Sequence, residues 1–99
     1  MQIGPTQISR IADICRRFHV RRLQLFGSTA TGAERPDSDV DLLVEFIPGQ
    51  APGGFRLVDM QEELSDTFGG RKIDLAFPSV LDNPYRRRAI EPQLQALYQ

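Results

Sequence analysis

RLQLFGSTATGAERPDSDVDLLVEF, residues 22–46, is the stretch whose reading decides the fold. Its first part, Arg22 to Phe26, reads as a short strand that Gly27 ends, and Ser28 stands where it would cap a short helix running to about Ala33. Pro36, Asp37 and Ser38 then mark a turn. Beyond it Val40, Leu42, Val44 and Phe46 alternate with Asp39, Asp41, Leu43 and Glu45, the period of a strand with one fully apolar face. Strand, glycine turn, helix and strand follow one another with little between them.

Outward from this centre, the same two periods recur. Upstream, Ile8, Ile11, Ala12, Cys15 and Phe18 fall at helical spacing, which predicts an amphipathic helix from about Gln7 to Phe18 with Thr6 as its N-cap. Downstream, residues 48–54 are loop by their proline and glycine content, and Leu57, Val58, Met60, Leu64 and Phe68 predict a second long helix closed by Gly69 and Gly70. Ile73, Leu75 and Phe77 alternate with Lys72, Asp74 and Ala76 in a further strand stopped by Pro78. A last helix is expected from Asn83 and Pro84 to about Ile90, while the segment Leu94 to Tyr98 after Pro92 reads equally as helix or edge strand. Strands alternating with helices predict an α/β (α+β) layer structure, and 99 residues leave room for one domain, residues 1–99.

Composition narrows the function. Lysine and arginine number 12 against 13 aspartate and glutamate, so no basic excess is available to neutralise a phosphate backbone, and direct nucleic-acid binding is not expected. Cys15 is the only cysteine, which excludes an internal disulfide and a thiol-rich metal site. No stretch has the length of a membrane span or the pattern of a signal peptide, and the expected location is cytoplasmic.

The chemistry-bearing residues cluster in the opening stretch. Gly27 permits close approach of backbone to a ligand, and with the Ser28 hydroxyl and the amides of the following turn it forms a candidate site for phosphate oxygens. Asp39 and Asp41 lie two apart on a strand, roughly 6.6 Å along the chain, and so project from one face. Paired carboxylates select hard cations such as magnesium, and two such ions can steady the attacking and leaving oxygens of a phosphoryl transfer. Asp74, on another strand by periodicity, supplies a third carboxylate that could bind metal or take a proton from an incoming hydroxyl.

Leu25-Phe26-Gly27-Ser28, the spacer after it, and Ser38-Asp39-Val40-Asp41-Leu42-Leu43-Val44 together resemble the signature of the DNA polymerase β-type nucleotidyltransferase superfamily. Within it, a chain with little beyond the catalytic core is most similar to the minimal nucleotidyltransferase (MNT) antitoxins paired with HEPN toxins, over about Ile8 to Phe77. The resemblance implies a small mixed sheet of three or four strands flanked by helices. It also implies ATP and magnesium, two ions, as reactants, and transfer of AMP to a hydroxyl, by family a tyrosine, of a partner HEPN ribonuclease toxin. The family's glycine-serine pair falls on Gly27 and Ser28, its paired metal carboxylates on Asp39 and Asp41, and its third carboxylate on Asp74. One departure is visible: many relatives carry arginine just before the second glycine of the loop, where this chain has Thr31 before Gly32. That keeps open an antitoxin that acts by binding alone. Transfer to a small molecule such as an aminoglycoside ranks last, because a chain of this length can scarcely build an acceptor pocket.

Plainer readings cover the remaining candidates. Asp37 and Asp82 are turn residues beside prolines. His19 reads as a solvated or cap-contacting histidine, Cys15 as a small core residue, and residues 49–54 as a flexible connection. The arginines at 16, 17, 21 and 22 and at 86, 87 and 88 read as solvated ends, with docking of an acidic partner or of phosphates as the alternative.

Overall fold

Four strands form one mixed sheet in the computed structural model, which describes residues 1–33, 35 and 37–99. Glu34 and Pro36 lie outside the described residues, and with Pro36 so does the start of the turn expected there. In chain order the elements are α1 (Pro5–Arg17), β1 (Val20–Phe26), α2 (Ser28–Thr31), β2 (Val40–Phe46), α3 (Gly54–Thr67), β3 (Ile73–Ala76), α4 (Pro84–Ile90) and β4 (Gln95–Tyr98). Short 3-10 turns at Pro78–Asp82 and Glu91–Gln93 flank α4. The strand order is β3-β2-β1-β4. β1 runs antiparallel to β2 and β4, while β2 and β3 are parallel, a pairing that needs a crossover and receives it from α3.

The apolar stripes read from the sequence meet on one face of this sheet. Ile11, Ile14, Cys15 and Phe18 of α1 and its C-cap, with Met60, Leu64 and Phe68 of α3 and its C-cap, pack on Val20, Leu23 and Leu25 of β1 and Val40, Leu42 and Val44 of β2. Outside that core the two helices are clamped together by the Arg17 guanidinium, which donates to both carboxylate oxygens of Glu63 at 3.0 and 2.6 Å and to Asp13 at 2.9 Å. Exposed pairs of this kind add little individually. Burial pushes the Cys15 thiol up to about 12 against the opposing pull of Arg16, so the group stays neutral and packs as an apolar side chain. No helix among the described residues is long and apolar enough to cross a membrane.

Two helix starts differ from the sequence expectation. α1 begins at Pro5 with Gly4 as N-cap, not at Gln7 with Thr6. Proline at the first helical position needs no N–H partner and brings a suitable φ, and the Gln7 side chain accepts from the Gly4 N–H at 3.0 Å while donating to the Thr67 carbonyl at 3.1 Å. Ser28 is not a cap either: Gly27 is the N-cap of α2, with no side-chain cap bond, and the helix closes after Thr31 at Gly32, whose φ of 80° is left-handed. The tail resolves as an edge strand, with Leu97 of β4 buried. α4 starts at Pro84 as expected, capped by the Asn83 side-chain oxygen, which accepts from the amides of Tyr85 at 2.9 Å and Arg86 at 3.3 Å.

His19 turns the chain from α1 into β1. It is exposed, its φ is 61°, and its carbonyl accepts from the Ile47 amide at 2.9 Å. A histidine there carries the steric cost of a left-handed residue with a Cβ, which glycine avoids. His19→Gly is therefore expected to raise the unfolding free energy in urea by about 1 kcal/mol; a drop of that size would show that the imidazole contributes a contact that outweighs the strain.

Candidate functional site

The register of the three inner strands determines where the carboxylates meet. Asp41 pairs with Phe26 of β1 on one side and with Asp74 of β3 on the other, so it sits in the middle of the sheet with a carboxylate neighbour on the adjoining strand. Asp39, just before β2, projects from the same face two residues earlier. That face is opposite the one covered by α1 and α3, since Val40, Leu42 and Val44 point into the core. The alternating pattern put each aspartate on a strand face; the parallel pairing of β2 and β3 is what brings Asp74 beside Asp39 and Asp41.

Their proximity is electrostatic as well as spatial. Asp41 is half-buried, and burial raises its carboxyl above the usual carboxylate range, with further upward pushes from Asp74 and then Asp39. Lys72, which the sequence reading treated only as part of the strand period, spans the outer pair: its Nζ lies 4.0 Å from Asp39 Oδ2 and 3.9 Å from Asp74 Oδ1. Its position two residues before Asp74 on the same strand face was the signal that could have found it. Long, exposed contacts of this kind hold weakly and leave the ammonium free to move aside.

Gly27 adjoins the carboxylates directly. A Cβ built on it would run into Asp41 Oδ2, and its φ of 76° is left-handed, so the backbone requires glycine and the carboxylate leaves no room for a side chain without moving. Its N–H donates to Gln93 Oε1 at 3.0 Å, which ties the turn to the segment before β4. Gln93 was not among the residues singled out from the sequence, and no local pattern marks it: the contact joins residues 66 positions apart. Ser28 follows as the first residue of α2, half-buried. The Thr31 hydroxyl donates to the carbonyls of Gly27 at 3.3 Å and Ser28 at 3.4 Å, so no cation stands at this position of the loop.

Whether this face suits a divalent cation is decided by its donors. Three carboxylates supply hard oxygens only, and the Asp41 carboxyl, pushed up first by burial and then by the charges of Asp74 and Asp39, would be relieved by a cation on this face. Among the described residues no three His, Cys, Asp or Glu side chains close into a ready-made metal cage. The arrangement fits an open site whose remaining ligands arrive with a phosphate-bearing ligand.

The arginines partly explain themselves by pairing. Arg17 is held by α3, as above, and the Arg22 guanidinium lies 3.2 Å from Glu45 Oε2 across β1 and β2. Arg87 donates to the Leu81 carbonyl at 2.8 Å.

Asp41 also makes a measurable statement about stability. Its carboxyl is held above the value in the unfolded chain, so the folded state binds this proton more tightly; the stabilisation is complete below the unfolded pKa of about 3.9 and is lost as pH rises through the folded value. At neutral pH the ionised group therefore destabilises the fold. Asp41→Asn is expected to raise Tm at pH 7, with the gain over wild type shrinking as the pH is lowered through 4; an equal or lower Tm at pH 7 would contradict the reading of the three carboxylates as mutually repulsive.

Comparison with known proteins bears on the fold and the family. A Methanocaldococcus jannaschii protein provisionally named as a protein adenylyltransferase is 34% identical, over 88% of this chain and 94% of its own length. Protein adenylyltransferase MntA of Thermococcus cleftensis is 36% identical over 70% of this chain and 67% of its own. A solved structure provisionally described as a minimal nucleotidyltransferase superposes with a TM-score of 0.66 at 27% identity, covering 90% of each chain. A crystal structure of a toxin-antitoxin with AMP-PNP shares the fold, with a TM-score of 0.66 at 17% identity over 92% of this chain and 72% of that one. The nucleotidyltransferase domain family matches residues 8–97, and with the relatives above this shows that the chain belongs to that family.

Proposed function

We propose that this chain transfers AMP from ATP to a hydroxyl of a partner protein, by resemblance a tyrosine of a HEPN ribonuclease toxin, and so neutralises it. The observation that carries the reading is the convergence of Asp39, Asp41 and Asp74 on one outward face hard against the Gly27 turn. Family membership supports nucleotidyl transfer, and the names of the relatives support a protein as acceptor. The expectation of a cytoplasmic protein made of one domain belongs to the same proposal.

In this reading the Gly27–Ser28 turn holds the outer phosphates of ATP. The acceptor oxygen attacks the α-phosphorus, the bond from that phosphorus to the oxygen bridging to the β-phosphate breaks, and pyrophosphate leaves with the bonding electrons. Asp74, at the strand edge of the carboxylate row, takes the proton from the hydroxyl. Asp39, Asp41 and Asp74 would hold magnesium, two ions by the resemblance, which supplies charge neutralisation on the phosphate oxygens. Lys72 must give way, because its ammonium bridges two of the three carboxylates.

A second reading, an antitoxin that works by contact alone, is favoured by one observation: Thr31 stands where, by the family resemblance, many relatives carry an arginine that could clamp a phosphate or an acidic partner group. The two part on the fate of the acceptor. Incubation with the toxin, ATP and magnesium, removal of this chain and mass measurement of the toxin should show an added adenylate and lasting inactivation, and Asp39→Asn and Asp41→Asn should each reduce transfer at least a hundredfold. Full recovery of RNA cleavage with no mass added would leave contact inhibition. Calorimetry gives an independent check: magnesium and ATP should each tighten the other's binding, since carboxylates and phosphates share the ion. Equal ATP affinity with and without magnesium would place the nucleotide elsewhere.

A further inference from the structure

The carboxylate face carries a cation of the chain's own. Lys72 stands just before β3, and its backbone is fixed there: the Lys72 carbonyl accepts from the Val40 amide at 2.9 Å, which extends the pairing of β2 and β3 past Ile73. The side chain is not fixed in the same way. It is 72% exposed, and its ammonium stands 4.0 Å from Asp39 and 3.9 Å from Asp74, so it can swing without leaving a packed place. We propose that Lys72 is a resident counter-ion of the carboxylates that becomes a ligand of the ATP phosphates when a divalent cation takes its place between the acids.

The proposal rests on the reading of this face as a magnesium-ATP site, and on where Lys72 lies within it. Phe26, Asp41 and Asp74 are aligned across β1, β2 and β3. Because β1 runs antiparallel to the other two, the step from Phe26 to Gly27 leads in the same direction as the step back from Asp41 to Asp39 and from Asp74 to Lys72. The Gly27 turn, Asp39 and Lys72 therefore share one end of the site. β1 and β3 are two strand spacings apart, roughly 10 Å, and the four-carbon stem of a lysine spans much of that. A phosphate chain held at Gly27 and Ser28 and extending over Asp39 comes within its reach.

The charges give the ammonium a reason to stay once displaced. Even two divalent ions do not neutralise three carboxylates together with a triphosphate, so the face remains negative and keeps attracting it. A cation is also wanted at this end of the site. α2 carries no basic residue, and the Thr31 hydroxyl is spent on the carbonyls of Gly27 and Ser28. Arg22, on β1, is held by Glu45 towards the far end of β2. Lys72 thus takes over from β3 the phosphate contact that the loop does not make.

Lys72→Met removes the charge and keeps an unbranched stem, and at so exposed a position the fold is not at risk. Without nucleotide, this variant should bind Mn2+ about threefold to fivefold more tightly than wild type, read from the electron paramagnetic resonance of the free ion, because the ammonium no longer competes. With magnesium present it should bind ATP about tenfold more weakly by calorimetry. Lys72→Arg, which keeps the charge, should recover most of the ATP affinity. The opposite signs are the signature: a solvated surface lysine would move neither affinity, and a purely structural one would move both in the same direction. Unchanged ATP affinity in Lys72→Met, or Mn2+ affinity that is unchanged or weaker, overturns the proposal. Failure of the AMP-transfer reading is seen separately: the two affinities would shift as stated, yet no partner protein would gain an adenylate from the wild-type chain.

Discussion

Three carboxylates held on one side of a small sheet repel one another, and much of this molecule is arranged to keep them there. The repulsion is recorded at Asp41, whose carboxyl is raised first by burial and then by its two neighbours. A free strand end would relieve it by fraying. Asp41 instead lies in the central part of the sheet, paired on both sides, with Val40, Leu42 and Val44 buried to 0% on the opposite face. Burial of such side chains is worth roughly 1.5–3 kcal/mol each, enough to hold a locally unfavourable charge arrangement in place. The destabilised face and the stabilising face are the two sides of a single strand.

The same strand constrains the turn beside it. Asp41 Oδ2 occupies the space in which any side chain at position 27 would have to begin, so the glycine required for a left-handed turn is also required for contact with the carboxylate. From its other side the turn is held by Gln93, the last residue of the 3-10 turn before β4. The Gly27 turn, the carboxylates and the C-terminal segment are thereby mechanically connected. A shift of the tail would be felt at the Gly27 amide, and the same tail supplies Leu94 to a groove beside Leu43.

Economy of scale follows from the sheet order. With β2 and β1 at the centre and α1 and α3 on one face only, the opposite face keeps its functional groups open, covered in part by the segment from Pro78 to Leu94. A layer of helices on both sides would have buried the carboxylates without partners, at a cost no small core could offset. One covered face and one chemical face is the arrangement in which a short chain can have both a core and a site.

The elements and the candidate site were legible in the sequence to different degrees. Period-2 alternation through Asp39 to Phe46 placed the carboxylates opposite the core, because side-chain direction on a strand is a local property of the backbone. The glycine turn and the two amphipathic helices were legible for the same reason, with boundary errors at Thr6 and Ser28 where Pro5 and Gly27 took the roles of helix start and cap. What lay beyond local pattern was pairing: that β3 runs parallel beside β2 and sets Asp74 opposite Asp41, that the tail is an edge strand, that Lys72 spans two acids and that Gln93 holds the Gly27 amide. Each depends on which segments become neighbours after α3 crosses over and the chain returns to β1. That choice is made by burial of the whole core, so it belongs to the tertiary structure, whereas the residues that face outward were already determined by the two-residue period of the strand.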